Sequence, residues 1–361
     1  MERKMKKRQL IWTFLLICTF SVSCLFTSCG SDDEKKLNKY VEYSLDYFDT
    51  ATSITGYEEN QEDFDRVSDE ILKELAEYHK LFTIYHRFEN FENLCTINDL
   101  TDGVHRTVTV DKRIIDMLLY AKEMYQLTDG KVNIAMGSVL SIWHDYRTAG
   151  LDEPWLAELP PMDKLVEASK HTDINNLIID EENSTVFISD PEMKLDVGAI
   201  AKGYAVEMLA RSLEEKGISG YVINVGGNVR TVGSKPKNEK WLAGIENPDK
   251  DSDEGYLVYL GLAGESVVTS GSYQRFYTVG DKNYHHIIDS KTLMPAEGYL
   301  SVSVVCKDSG KADALSTALF CMDFEDGLAL VESLSDVEAH WVFEDGTRKT
   351  SGGFDKYVTE R

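Results

Sequence analysis

Five short β-type runs follow one another at 221–225, 241–246, 256–260, 267–269 and 301–306, with no clear helical period between them. Upstream, the runs 177–180 and 185–189 flank the turn Glu181-Glu182-Asn183-Ser184 in the same manner. Strands joined by a turn as short as 181–184 form a hairpin, because a parallel neighbour needs a long crossover. Helical periods are interspersed among them. Phe64, Val67, Ile71, Leu75, Tyr78 and Phe82 give an amphipathic helix over about 61–80. Ile114, Ile115, Leu118, Leu119 and Tyr125 mark a second, stopped near Gly130, and a third runs from about 200 to 216 and ends at Gly217. Two more are expected at about 311–322 and 324–334, with a closing hairpin from 337–343 into the tail. The Tyr-, Phe- and Thr-rich segment 41–56 reads as a strand, and 146–161 as a surface loop. Hairpins outnumber clean βαβ units, so the expected class is α+β rather than a doubly wound sheet. With no internal repeat or long linker, residues 41–361 read as a single domain.

The start of the chain is not part of that domain. Met1–Arg8 holds five basic residues, 10–20 is apolar, and the small-residue stretch SVSCLFTSC follows, in the order of an export signal. Phe26-Thr27-Ser28-Cys29 resembles a bacterial lipobox, which makes Cys29 the expected lipidation site and residues 1–28 a lipoprotein signal peptide. Ser21-Val22-Ser23-Cys24 is a second candidate, and an uncleaved anchor a third reading. Residues 29–40 read as a tether. The expected location is outside the cytoplasm, lipid-anchored to a bacterial membrane and facing the periplasm or cell exterior. Of six cysteines, Cys95, Cys306 and Cys321 then remain in the domain, too few and too scattered for a disulfide framework.

Charge narrows the function. Lys plus Arg is 38 against 62 Asp plus Glu, a formal net charge of −24. Nucleic-acid binding is not expected of such a balance. The same field repels a phosphate ligand, which would need a metal ion or a local nest of amides.

Four places carry chemistry. In Leu195-Asp196-Val197-Gly198-Ala199-Ile200-Ala201-Lys202-Gly203-Tyr204 a β run ends in an Asp and a small-residue turn opens a helix. Such a helix start suits phosphate, and it equally suits a tight turn with Asp196 as N-cap. Gly226-Gly227-Asn228-Val229-Arg230 allows close backbone approach to a ligand, or a plain turn. In Tyr284-His285-His286-Ile287-Ile288-Asp289 adjacent histidines on an extended segment point to opposite faces, so one can face a site and the other solvent. Asp313 and Thr317 stand i and i+4 on a helix, a hard-oxygen half-site for Mg²⁺ or else an N-cap with a buried threonine.

In order and spacing, these segments together resemble the ApbE family, the FAD:protein FMN transferases. Ser270-Gly271-Ser272-Tyr273-Gln274-Arg275-Phe276 adds a further family pattern, and the resemblance covers roughly residues 41–345. It implies a single ApbE-like, T-fold-like domain. It implies Mg²⁺ held by Asp313, Thr317 and the backbone carbonyl of Ala199. It implies that FAD, as substrate, is contacted by Tyr85, Met136, Gly137, Asp196, Lys202 and Ile288. His286 falls at the family's catalytic histidine, with Asp289 its expected orienter. The implied partners are acceptor redox proteins, exported or membrane-bound, with a Thr or Ser hydroxyl to be flavinylated, and AMP is released. A Mg²⁺-dependent FAD pyrophosphatase and a non-catalytic flavin-binding lipoprotein are the alternatives. Departures from the pattern fall at Ser290 and Leu293, where the family has Pro and Gly, and at Asn133, Ala135 and Met136.

Overall fold

The fold is that of the unit Leu37–Arg361, taken from a computed structural model and described at residues 36–99, 107–249 and 251–360. The signal-like segment and Cys29 lie outside the described residues. In chain order the elements are β1 Asn38–Ser44, β2 Thr52–Glu58, α1 Gln61–Phe82, α2 Leu94–Asp99, β3 Val108–Thr109, α3 Lys112–Leu127, α4 Gly137–Asp152 and α5 Met162–Ser169. Then come β4 Leu177–Asp180, β5 Thr185–Ile188, α6 Ala201–Glu215, β6 Tyr221–Val225, β7 Asn228–Val232, β8 Trp241–Glu246, β9 Tyr256–Leu262 and β10 Ser266–Gly271. The rest are β11 Phe276–Val279, β12 Lys282–His285, β13 Tyr299–Cys306, α7 Ser309–Phe320, α8 Phe324–Glu332, β14 Glu338–Phe343, β15 Arg348–Thr350 and β16 Val358–Thr359. No helix among the described residues is long and apolar enough to cross a membrane.

Eight strands form one sheet in the order β1-β2-β6-β7-β10-β13-β14-β15. Every neighbouring pair in it is antiparallel. The α+β expectation therefore holds. Register explains the layering. Ile54 pairs with Ile223, Ile223 with Arg230, Arg230 with Ser266, and Ser266 with Cys306, so these side chains share one face. On that face Ile54, Ile223 and Val232 join the core of α1 and α6, while Val268, Val304 and Trp341 join Leu315 and Leu319 of α7. On the other face Val229, Val267 and Val305 pack on the small sheet β16-β9-β8 through Ile245, Leu260 and Leu262.

Local chemistry accounts for most element ends. The Asn60 side chain accepts from the Asp63 amide at the start of α1, and His79 and Lys80 sit in its last turn against the negative helix end. Gly226 (φ 58°) and Gly227 (φ 91°) make the two-residue turn between β6 and β7, a geometry that other residues enter only with strain. The paired glycines are thus a hairpin turn.

Two expectations need correction. The segment 41–56 is two strands, β1 and β2, paired from Asn38↔Glu58 to Ser44↔Thr52. The turn between them is carried by Phe48 and Asp49 at positive φ, and an aromatic residue there hides the break. The stretch 146–161 is not a loop throughout. Helix α4 runs to Asp152 and a 3-10 turn spans Pro154–Leu156. Helix α4 buries Gly137, Ser138, Val139, Trp143 and Gly150, a set too small and scattered to give a clean apolar period.

Candidate active site

A single cleft beside the sheet gathers side chains from distant parts of the chain. Tyr85, Met136, Asp196, Ala199, Lys202, His286, Ile288, Asp313 and Thr317 all line it, with His144, Arg147, Asn228, Ser270 and Arg275. Gly137 does not line it. Its amide bonds the Lys194 carbonyl at 3.0 Å, and an added Cβ would meet that oxygen at 2.5 Å, so it is a close-packing position behind Met136.

Helices α6 and α7 build the oxygen-rich end. The first bond of the α6 ladder runs from the Tyr204 amide to the Ile200 carbonyl, which leaves the Ala199 carbonyl outside the ladder. The Gly203 amide, one of the unpaired donors of that helix start, instead donates to Asp313 Oδ2 at 2.8 Å. One turn along, Glu207 Oε2 accepts from the Ser309 amide at the start of α7 at 2.9 Å. Each helix therefore caps the other's first turn with a carboxylate. Arg230 secures this pair by donating Nε to Glu207 Oε2 at 3.0 Å, with both side chains almost fully buried. The Arg of the Gly-Gly-Asn-Val-Arg segment is accordingly a brace. Gly203 permits the close approach, since a Cβ there would stand 2.4 Å from Asp313 Cβ and from the Ser309 carbonyl oxygen.

The donors at this end are one carboxylate, one hydroxyl and one free backbone carbonyl. Asp313 is 4% exposed. Burial pushes its carboxyl up from the usual range, while Lys202 and the Gly203 amide pull it down. Lys202 Nζ stands 3.8 Å from Asp313 Oδ2 and supplies the counter-charge. Thr317 Oγ1 lies 3.4 Å from Ser270 Oγ, which also bonds Ser316 Oγ at 2.9 Å. Among the described residues no cluster of three or more His, Cys, Asp or Glu is placed to hold a metal. Such a sparse all-oxygen set suits Mg²⁺, which keeps waters and takes substrate phosphates.

Across the cleft, His286 and His285 separate as an extended segment requires. His285 is buried, with Nε2 donating to the Ala296 carbonyl at 2.8 Å and Nδ1 accepting the Ile287 amide at 3.2 Å. It faces the interior rather than solvent and holds the strand. His286 is open to the cleft, and its Nδ1 is 3.2 Å from the Arg275 carbonyl. A carbonyl only accepts, so Nδ1 carries the proton and Nε2 presents a lone pair. The protein packed around the ring, then Arg275, Arg147, His285 and Lys202, lower its pKa to about 3. Asp289 does not orient it. That carboxylate is taken by Lys131 at 2.7 Å and by the amides of Lys291 and Thr292.

Around the remaining wall, Asp196 Oδ1 accepts the Gly198 amide at 2.8 Å, shaping the strand-to-helix turn. Burial raises its pKa, against that amide, His144, Arg147 and Lys202. Tyr85 is half exposed and lies over His144, ring centroids 5.2 Å apart. His144 and Arg147 went unnoticed in the sequence because they sit on α4, part of which read as loop. Arg275 stands in a segment quoted only for its pattern. Together, Lys131, Arg147, Lys202 and Arg275 give the cleft four cations against the carboxylates of Asp196, Asp313 and, paired with Lys131, Asp289. A chain of formal charge −24 thus keeps a locally cationic pocket for an anion.

Residues 48–341 match the ApbE family. The chain belongs to that family. It is 31% identical over 260 residues to the FAD:protein FMN transferase of Treponema pallidum (strain Nichols), covering 68% of this chain and 70% of the relative. It is 30% identical over 268 residues to one from Klebsiella pneumoniae (strain 342), covering 72% and 80%. The ApbE protein of Thermotoga maritima superposes with a TM-score of 0.76 at 27% identity, over 90% of this chain and all of that one. Flavin transferase ApbE from Vibrio cholerae shares the fold, with a TM-score of 0.73 at 24% identity.

This ApbE-family chain departs from the pattern at the loop after Asp289, and the loop still closes. The Leu293 amide bonds the Asp289 carbonyl at 2.8 Å and the Met294 carbonyl accepts the Asp289 amide at 2.9 Å. Leu293 takes φ 59°, the left-handed conformation natural to the family's glycine, and is 7% exposed beside Trp143 and Ile288. Packing offsets the strain. Leu293→Gly relieves about 1–2 kcal/mol of backbone strain but removes a buried side chain worth about 2–5 kcal/mol. The expected outcome is a lower Tm, read by calorimetry; a higher Tm would show that strain dominates.

Proposed function

We propose that this protein transfers FMN from FAD to a Thr or Ser hydroxyl of an exported or membrane redox protein and releases AMP. The observation that carries this reading is the cleft itself. An all-oxygen donor set from Asp313, Thr317 and the Ala199 carbonyl faces a neutral histidine among four cations. Mg²⁺ bound by that set supplies charge neutralisation on the FAD diphosphate.

The residues do the rest. Lys202, Arg147 and Arg275 hold phosphate charge, and the α6 start adds its dipole. Tyr85, Met136, Asp196 and Ile288 form the walls against the flavin nucleotide, with Gly137 holding Met136 in place. His286 Nε2 accepts the proton of the acceptor hydroxyl as its oxygen bonds the FMN phosphorus. The bond from that phosphorus to the bridging oxygen breaks, and AMP leaves with the electron pair. Export through residues 1–28 and a lipid on Cys29 place the enzyme beside such acceptors, facing the periplasm or cell exterior.

The test incubates the purified protein with FAD, Mg²⁺ and an exported candidate acceptor subunit, then weighs the acceptor and separates free nucleotides. The acceptor should gain one FMN, with AMP released only when Mg²⁺ is present. Asp313→Ala should lower the rate by about 10³-fold, a loss of several kcal/mol of charge stabilisation. Free FMN and AMP beside an unmodified acceptor would assign hydrolysis. Equal behaviour of Asp313→Ala and wild type, with FAD bound but intact, would assign a binding protein.

A further inference from the structure

Helix α4 forms part of the cleft wall, and the segment that continues from its last turn carries exposed apolar side chains. Residues 151–166 carry Leu151, Trp155, Leu156, Met162 and Val166, all exposed, and the indole of Trp155 sits on a residue that is 77% exposed. Most large apolar side chains in this protein are covered, and this segment holds five of the exposed ones, which suits a contact surface. The segment is not loosely attached. Leu165 is fully buried and Leu159 and Ala157 pack beside it in the small core of Met136, Val139, Trp143, Tyr277, Ile288 and Leu293. Tyr277 of β11 donates its hydroxyl to the Glu158 carbonyl at 3.2 Å, and its ring lies against Gly150 of α4. The same core presents Met136 and Ile288 to the cleft. β11 pairs with β12, which leads directly into His286, and the second and third turns of α4 supply His144 and Arg147.

We propose that the face of Leu151, Trp155 and Leu156 docks the acceptor protein and so delivers its hydroxyl to His286. This rests on the transferase reading. A macromolecular acceptor must touch the enzyme near the mouth of the cleft, and Leu151 stands one helical turn beyond Arg147, which lines it. Its charge selects the occupant. Asp152, Glu153, Glu158, Asp163 and Glu167 lie in or beside the segment, against Lys164 and Lys170. An anionic bilayer surface is repelled by that rim. A protein with an apolar spot flanked by Lys or Arg is attracted, and an exposed tryptophan is the residue type that most often dominates such contacts.

The experiment uses the candidate acceptor subunit of the transfer assay, presented both as the folded domain and as a peptide of about twelve residues around the hydroxyl to be modified. The variant Trp155→Ala/Leu156→Ser changes exposed side chains only. Its KM for the folded domain should rise at least 10-fold, with kcat, the KM for FAD and all peptide kinetics unchanged. An unchanged KM for the domain would overturn the proposal. So would an equal loss with peptide and domain, which would place the damage in the cleft. Loss of binding to anionic lipid vesicles, or of a dimer in light scattering, with domain kinetics intact would give the face to a membrane or to a second copy. Wild type that modifies neither acceptor would overturn the transferase reading and this face with it.

Discussion

FMN transfer by the His286→Ala variant should fall by about 10²–10⁴-fold, the range typical of a lost general base. The ring is open to the cleft and its Nδ1 is committed to the Arg275 carbonyl, so removing it deletes one proton acceptor and little packing. FAD affinity, read by flavin fluorescence, should stay within a few-fold of wild type. The pH profile gives an independent check. Histidine ordinarily titrates near 6.5. Here loss of solvating water inside the cleft, then the neighbouring cations, lower the value to about 3. A lowered pKa keeps the basic form populated as pH falls, until the pH approaches that lower value. Wild-type activity should therefore show no falling limb near pH 6.5 from this group. A midpoint there that vanishes in His286→Ala would contradict the environment described, and undiminished transfer in the variant would remove His286 from the role.

The second large effect is expected at Gly203. Alanine adds a Cβ that would stand 2.4 Å from both Asp313 Cβ and the Ser309 carbonyl oxygen. Neither neighbour can yield easily. Ser309 is held by Glu207, and Glu207 by the buried Arg230. Helix α7 is also packed through Leu315 and Leu319 on the sheet. Overpacking of this kind costs about 1–3 kcal/mol, occasionally more. Relief by sliding α7 would move Asp313 and Thr317 away from the Ala199 carbonyl, and a shift of about 1 Å at reacting groups can cost about 10²-fold in rate. Gly203→Ala should thus lose Tm and, at a temperature where it is still folded, at least 10²-fold in Mg²⁺-dependent AMP release. A variant with wild-type Tm and rate would show that the two helices are not locked as described.

Much of the fold could be read from the sequence where one physical signal dominated. Helix α1 announces itself because one stripe is apolar and Asn60 caps it, and α6 because Gly217 (φ 71°) ends it. Helix α4 does not, because its buried positions are small or scattered and prolines follow closely. The turn at Phe48 and Asp49 is hidden because an aromatic residue, Phe48, takes a positive φ where glycine would announce it. At the site, Asp313 and Thr317 could be paired from helical spacing alone, whereas their relation to His286 depends on how β12 and α7 meet across the cleft.

The sequence by itself determined the α+β class, the short β-runs, most of the helices and the family to which the chain belongs, because these follow from local periodicity, turn chemistry and motif order. Only the tertiary structure decided the rest. It freed the Ala199 carbonyl by diverting the Gly203 amide to Asp313, gave His286 the Arg275 carbonyl in place of Asp289, and gathered four cations in an acidic chain. Each of these joins groups separated by about ten to more than one hundred residues, and no local preference of the chain encodes such a meeting; burial and hydrogen-bond satisfaction across the packed sheet and helices do.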